Sequence, residues 1–271
     1  MRRSMLLSTT AVAILFAGVA SVACAEDAPA VSQTNFTFDA GGGGIDHKSV
    51  GYAQIGLATP ISHSTGFEID GMAGDWQGKA FEGVTAHLFW RNPSIGLLGL
   101  YGEYLNADVP STVTIPPTSG NSDLVRAALE GELYLDRFSF EGRAGWEGGS
   151  IGTRFYDRAN IAFYPVDNFR MALGQIEEAG QGFGTFMLEF QPDEKLGATF
   201  FAEALESHNI VSAFGGVRFY FGAPAKSLIA HAREDDPDVN IPEDLLGIFA
   251  GQHHAPAPVC HFEGHVVPCG T

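Results

Sequence analysis

Gly216-Val217-Arg218-Phe219-Tyr220-Phe221 alternates residue by residue. Val217, Phe219 and Phe221 fall on one side, and Gly216, Arg218 and Tyr220 on the other. A period of two describes a β-strand with two unlike faces, one bulky and apolar, the other bearing a guanidinium. In a soluble sandwich the apolar face turns inward. In a membrane barrel it turns outward to lipid and the arginine faces the lumen. Which of these holds decides the fold, so the rest of the chain is read against that choice.

The scheme recurs upstream. Asp123 to Leu135 sets Val125, Ala127, Leu129, Leu133 and Leu135 against Arg126, Glu130, Glu132 and Tyr134. After the tight turn Asp136-Arg137, Phe138 to Glu147 sets Phe138, Phe140, Ala144 and Trp146 against Ser139, Glu141, Arg143 and Glu147. Thr153 to Tyr164, Asn168 to Glu177, Gly182 to Gln191, Gly197 to Glu206 and Ile210 to Gly222 continue it. The first half adds Asn35 to Gly43, Val50 to Thr59, Gly66 to Asp75, Lys79 to Trp90 and Ser94 to Leu105, the last with no clear face. A Pro/Ser/Thr-rich loop, Asn106 to Ser122, separates the halves. Each segment is about 10 residues, the length a tilted strand needs to cross a bilayer core. The count is about 12, and even numbers are the rule for bacterial outer-membrane barrels. With both ends of the barrel chain in the periplasm, the one long loop falls on the outer side, as such barrels require. The expected fold is therefore an all-β, antiparallel up-and-down transmembrane barrel over residues 35–222.

Composition agrees. The chain has 271 residues with 34 Gly, 21 Phe and only 17% charged residues, a turn-rich β profile. Past the N-terminus no segment reaches the 18 apolar residues of a helical span. The formal charge of −17 argues against nucleic-acid binding, which needs basic patches. At the N-terminus, Arg2-Arg3, an apolar run from about Ala11 to Val22 and Ala23-Cys24-Ala25 form a signal peptide cleaved after Ala25. Ser21-Val22-Ala23 fits a lipobox poorly, and general secretory export is expected. Residues 26–34 form a linker.

With these residues in view, the stretch 214–221 resembles the β-signal of Gram-negative outer-membrane β-barrel proteins. Gly216, Phe219 and Phe221 match its glycine and two aromatics; Phe214 stands where a polar residue is usual, and about 50 residues follow where the signal usually ends the chain. The resemblance implies recognition by the barrel-assembly machinery and insertion among outer-membrane lipid.

Burying arginine on a lipid face costs about 2–4 kcal/mol each near the midplane. Arg126, Arg143, Arg158, Arg170 and Arg218 must then face the lumen, with Glu130, Glu132, Glu141, Glu189 and Glu203 beside them. These ten are the expected pore-lining residues of a narrow polar passage for small solutes. A non-conducting structural or interaction barrel is the alternative, and a soluble periplasmic barrel holding an apolar ligand a third. Enzymatic chemistry is not expected: G-x-S-x-G is absent, and spacing places no acid or nucleophile beside His87. No cofactor or metal is expected either.

The tail, residues 223–271, changes character. Short helices are expected at Lys226–Glu234 and Pro242–Phe249. Cys260 and Cys269 are the cysteines left after cleavage, and an oxidising compartment favours a disulfide between them over a metal site with His261 and His265. The tail is expected on the periplasmic side, where it contacts a periplasmic partner or plugs the pore.

Overall fold

The computed structural model describes residues 28–109, 120–207, 210–222, 225–235, 237, 244–249, 259–262 and 265–268, the last two ranges as backbone. Twelve strands follow one another: β1 (Asn35–Ile45), β2 (Lys48–Pro60), β3 (Thr65–Trp76), β4 (Lys79–Asn92), β5 (Gly96–Val109), β6 (Gly120–Leu135), β7 (Phe138–Gly149), β8 (Arg154–Val166), β9 (Phe169–Glu178), β10 (Gln181–Phe190), β11 (Ala198–Ser207) and β12 (Ile210–Phe221). Each pairs antiparallel with its neighbours in sequence, and β1 closes on β12. The fold is thus a closed up-and-down barrel, which leaves no sheet edge unpaired.

Strand alternation sorts side chains by polarity. Leu88, Leu100, Leu129, Ile161, Leu173 and Phe200 are exposed on the outside. Arg126, Glu130, Glu141, Arg143, Arg158 and Arg170 are buried on the inside. Aromatic residues collect on the outer wall in two belts. Phe36, Trp90, Phe138, Phe163, Phe190 and Phe221 lie near the end where the chain enters β1 and leaves β12, here called the entry end. Tyr104, Trp146 and Phe155 lie toward the far end. Two aromatic girdles flanking an apolar band are the outer surface of a membrane barrel. Polar residues on outward positions, among them Glu82, Asp108, Asp123 and Asp157, lie toward the far end; Asp157 accepts from Gln175 Nε2 at 2.6 Å.

The opening stretch closes the barrel. Phe38 pairs with Phe219, Asp39 with Arg218 and Gly41 with Gly216 across the β1–β12 seam. Phe219 stacks on Phe38 and Phe221, with centroids 6.5 and 6.4 Å apart. Glycine is required at Gly216, since an added Cβ would meet Ala40 O at 2.4 Å and the Phe201 ring at 2.6 Å.

Two expectations change in detail. β5 and β6 run further than the sequence suggested, to Val109 and from Gly120, so both cut into the expected loop Asn106 to Ser122. Cross-strand bonds between Asn106 and Asn121, at 2.7 and 2.8 Å, extend the ladder through residues whose composition reads as loop. The ambiguous fifth segment resolves with Leu97, Tyr101, Glu103 and Leu105 inward and Leu98, Leu100 and Tyr104 outward.

The tail departs more. Helix α1 (Leu228–Glu234) sits at the entry end: Ile229 N donates to Asp167 O at 3.0 Å, and Arg233 Nη2 to Asp136 O at 2.9 Å. A helical segment at 244–249 lies instead among far-end residues, with Phe249 6.0 Å from Trp76 and Lys48 over its ring at 5.4 Å. Helical residues therefore appear within both expected ranges, and they lie inside the barrel, as the plug alternative has it, rather than beside it on the periplasmic side. The physical reason is apolar: Leu228, Leu245, Leu246, Ile248 and Phe249 bury against lumen residues that would otherwise face water. A two-stranded hairpin, β13 (Val259–Phe262) with β14 (His265–Pro268), follows. The signal peptide and the Cys260–Cys269 pairing concern side chains and residues outside those described.

Candidate functional site in the barrel lumen

All ten arginines and glutamates singled out in the sequence occupy inward strand positions. They are not one cluster but a lattice of ion pairs running along the wall. At the seam, Arg218 grips Asp39 with both ends of its fork, Nε at 3.0 Å to each oxygen and Nη2 at 2.8 Å. Next to it, Arg170 Nη2 binds Glu141 at 3.0 and 2.8 Å while Nη1 binds Glu189 at 2.8 Å. Across the lumen, His87 Nδ1 lies 2.9 Å from Glu130 Oε2, which Arg143 approaches at 3.5 Å. Arg143 also covers the Tyr101 ring at 4.3 Å. Arg158 stands opposite Arg143 in the β7–β8 ladder, with Asn160 turned to accept from its Nε at 3.0 Å. Glu132 accepts from Tyr134 at 2.6 Å, and Glu203 is buried inward on β11.

The expected pore-lining set left out further inward carboxylates. Asp39, Asp70, Glu103, Glu147 and Glu178 are all buried in the lumen. His87, for which spacing offered no acid, has one because β6 reaches it through β5: His87 pairs with Tyr101, and Tyr101 with Ala128, two positions from Glu130. Only the barrel's full register brings these positions together. The alternation on β7 did carry a signal for Glu147, which follows Glu141 and Arg143 on the same face.

The lumen has two unlike halves. The entry-end half holds the Arg/Glu lattice just described. The far-end half is lined by Tyr52, Met72, Trp76, Phe81, Tyr156 and Phe183. In this half Arg126 lies over the Tyr156 ring at 4.1 Å. Arg126 gathers carboxylates from three strands: Glu178 at 2.6 Å, Glu103 at 3.2 Å and Glu147 at 3.4 Å. Asp244, from the tail, hydrogen-bonds the same guanidinium. Such an ion in a low-dielectric interior is tolerable only with this many partners. Tyr101 donates to Glu103 at 2.9 Å and Ala179 N to Glu147 at 2.5 Å, which ties the cluster to the wall.

The tail fills the space between the walls. At the entry end the His231 ring stacks on Tyr220 at 3.9 Å and 7°. His231 Nδ1 donates to Asp235 at 2.9 Å, and Asp235 also accepts from Ser32 at 2.6 Å and Lys226 at 2.9 Å. The carboxyl of Asp235 is buried, which alone would raise its pKa; the bonds from His231, Ser32 and Lys226 outweigh that and hold it below the ordinary 3.8. Two cavities in the lattice measure about 20 and 30 Å³, no more than the room of a single water. The larger hollows, about 510 and 590 Å³, are on the outer wall around Ile55, Gly71 and Val84, where acyl chains pack against a membrane barrel. The described tail residues thus occupy the lumen at both ends.

No family model and no curated protein matches the chain. Solved structures do. One of KdgM porin aligns with a TM-score of 0.52 at 11% identity, covering 68% of this chain and 98% of that one. Another, KdgM porin in complex with disordered oligogalacturonate, aligns at 0.51 and 10%, with the same coverage. At these identities the likeness is one of fold: the chain shares the architecture of an outer-membrane porin, and about a third of its length lies outside the match.

Proposed function

We propose that the protein is an outer-membrane barrel that provides a narrow passage for passive diffusion of small polar solutes, and that its own C-terminal segment closes the passage in the conformation described. The observation that carries this reading is the sorting of charge. Every arginine and glutamate of the lattice faces inward on a wall whose outside is apolar and girdled by aromatics. A barrel that served only as a scaffold could fill its interior with apolar side chains at lower electrostatic cost. A polar lumen keeps the alternative of hydration once the tail moves.

Carboxylates outnumber guanidiniums on the inward positions, Asp39, Glu68, Asp70, Glu103 and Glu147 adding to the five glutamates already named. The passage therefore favours cations and neutral solutes over anions. Insertion through the assembly machinery, with Gly216, Phe219 and Phe221 as its signal, belongs to the same reading. The non-conducting barrel stands as a second reading because the lumen cavities are water-sized. No enzymatic role is proposed: His87 is sealed against Glu130 and Tyr101, and among the described residues no hydroxyl or thiol bonds its ring.

Liposome swelling with neutral, cationic and anionic solutes of amino-acid size separates the two. The passage predicts swelling that is fastest for the cation and is increased by loosening the tail. Tight liposomes from correctly folded barrels, whatever the state of the tail, support the scaffold.

A further inference from the structure

The tail does more than enter the barrel; its described residues mark points along the whole lumen. α1 is bonded to the entry-end turns at Asp136 and Asp167. Pro237 shares a small cavity with Glu132, Glu141, Arg170 and Arg218, deep in the charged half. Asp244 reaches Arg126, and Phe249 reaches Trp76 and Lys48 beside the far-end turns. Glu132 and Arg126 share β6, so the two stations lie about 20 Å apart along the strand. The step from Pro237 to Asp244 can span at most about 25 Å. One pass of the chain fits that separation.

A second pass back does not fit. Leu245, Leu246, Ile248 and Phe249 already bury against the far-half residues, and the two cavities found in the charged half are water-sized. An added Cβ on Gly247 would meet Arg126 Nη2 at 3.1 Å and Glu178 Oε2 at 3.2 Å, so the segment lies against the wall with no slack. The strands of the hairpin β13–β14, which pairs within itself, therefore follow a chain that has reached the far end.

We infer that the barrel threads its own C-terminus and presents the β13–β14 hairpin on the outer face of the cell. This rests on the outer-membrane reading, with the entry end in the periplasm, but not on conduction. Threading is achieved as the barrel closes: β12 pairs with β1 around a tail already laid along the nascent wall, so no folded element has to cross a finished pore. The hairpin is held there by a tether whose described residues are anchored at both mouths.

The test uses the full chain in intact cells. An epitope fused after Thr271 is compared with the same epitope inserted at Gly120, on the far rim, and at Arg137, on an entry-end turn. Antibody is applied before and after permeabilising the outer membrane, with heat-modifiable gel mobility confirming a folded barrel each time. The inference expects the Thr271 and Gly120 epitopes to be read on intact cells and the Arg137 epitope only after permeabilisation. If Gly120 is read and Thr271 is not, the threading is overturned while the membrane reading stands. If Gly120 is silent until permeabilisation, the orientation itself has failed and the inference falls with it.

Discussion

Asp244 hydrogen-bonds Arg126 from 118 residues further along the chain, and it is the one carboxylate of the Arg126 cluster that the barrel wall does not supply. Glu103, Glu147 and Glu178 stay with the strands whatever the tail does. The contact is therefore both a structural ion pair and a removable one, and it marks where a closed lumen would begin to open.

Asp244→Ala should loosen the far-end latch without unfolding the barrel, because Arg126 keeps three partners. Losing one charge-assisted hydrogen bond while the guanidinium stays paired costs about 1.5–3 kcal/mol, which corresponds to roughly a ten- to hundredfold rise in the fraction of released tail. Protease digestion of reconstituted protein checks it: cleavage within the tail should accelerate in the variant while the barrel fragment stays intact. Unchanged tail protection would show that the apolar contacts of Leu245 to Phe249 hold the segment alone.

Arg218 and Asp39 fasten the first strand to the last. Asp39→Ala leaves a guanidinium buried without its fork partner and should cost about 3–5 kcal/mol. The exchange Asp39→Arg with Arg218→Asp should recover more than half of that. Urea midpoints of the heat-modifiable band for the two single variants and the double measure the coupling. Strictly additive losses would mean the pair does not bind the seam.

Gly216 separates two explanations of one residue. As part of an assembly signal it matters to the machinery; as a seam residue it matters because Ala40 O and Phe201 occupy the space a side chain needs. Gly216→Val should lower the yield of folded barrel even when refolding is done in lipid vesicles without any assembly factor. Normal refolding there, with failure only in cells, would leave the signal as its sole role.

Acid should release the entry-end latch. Asp235 has a depressed pKa in the folded protein, so its contribution is fully present above the ordinary carboxylate value of 3.8 and is lost as pH falls through the lower folded value. The protection of α1 amides, after correction for the intrinsic pH dependence of exchange, should therefore be lost as pH falls from about 4 to about 2. In Asp235→Asn exchange should already be fast at the upper end and change less. Parallel profiles in the two proteins would assign the transition to other carboxylates.

Much of this was legible in the sequence, and the limits have a physical cause. Alternation of period two exposes which side of a strand is polar, so Arg126, Arg143 and Arg218 could be placed inward from their neighbours alone. What alternation cannot give is the partner. Arg218 meets Asp39 only because the barrel closes, and His87 meets Glu130 only because two further strands fix the register. The fifth segment resisted because Leu97, Leu98 and Leu100 are apolar on both faces: its inward residues pack in the lumen while its outward ones face lipid. The tail was legible as helices, but the sequence could not choose between a plug and a periplasmic contact, because its apolar residues are complementary to a surface assembled from most of the strands.

Single-channel recording in planar bilayers, with the full chain and Asp244→Ala side by side, addresses the central claim most directly. A passage closed by its own tail predicts rare openings in the parent protein, frequent ones in the variant, and a reversal potential in a salt gradient that shows cation preference in both. Silence from the variant, in barrels shown to be folded and with the tail shown by proteolysis to be released, would contradict the passage and leave a closed scaffold.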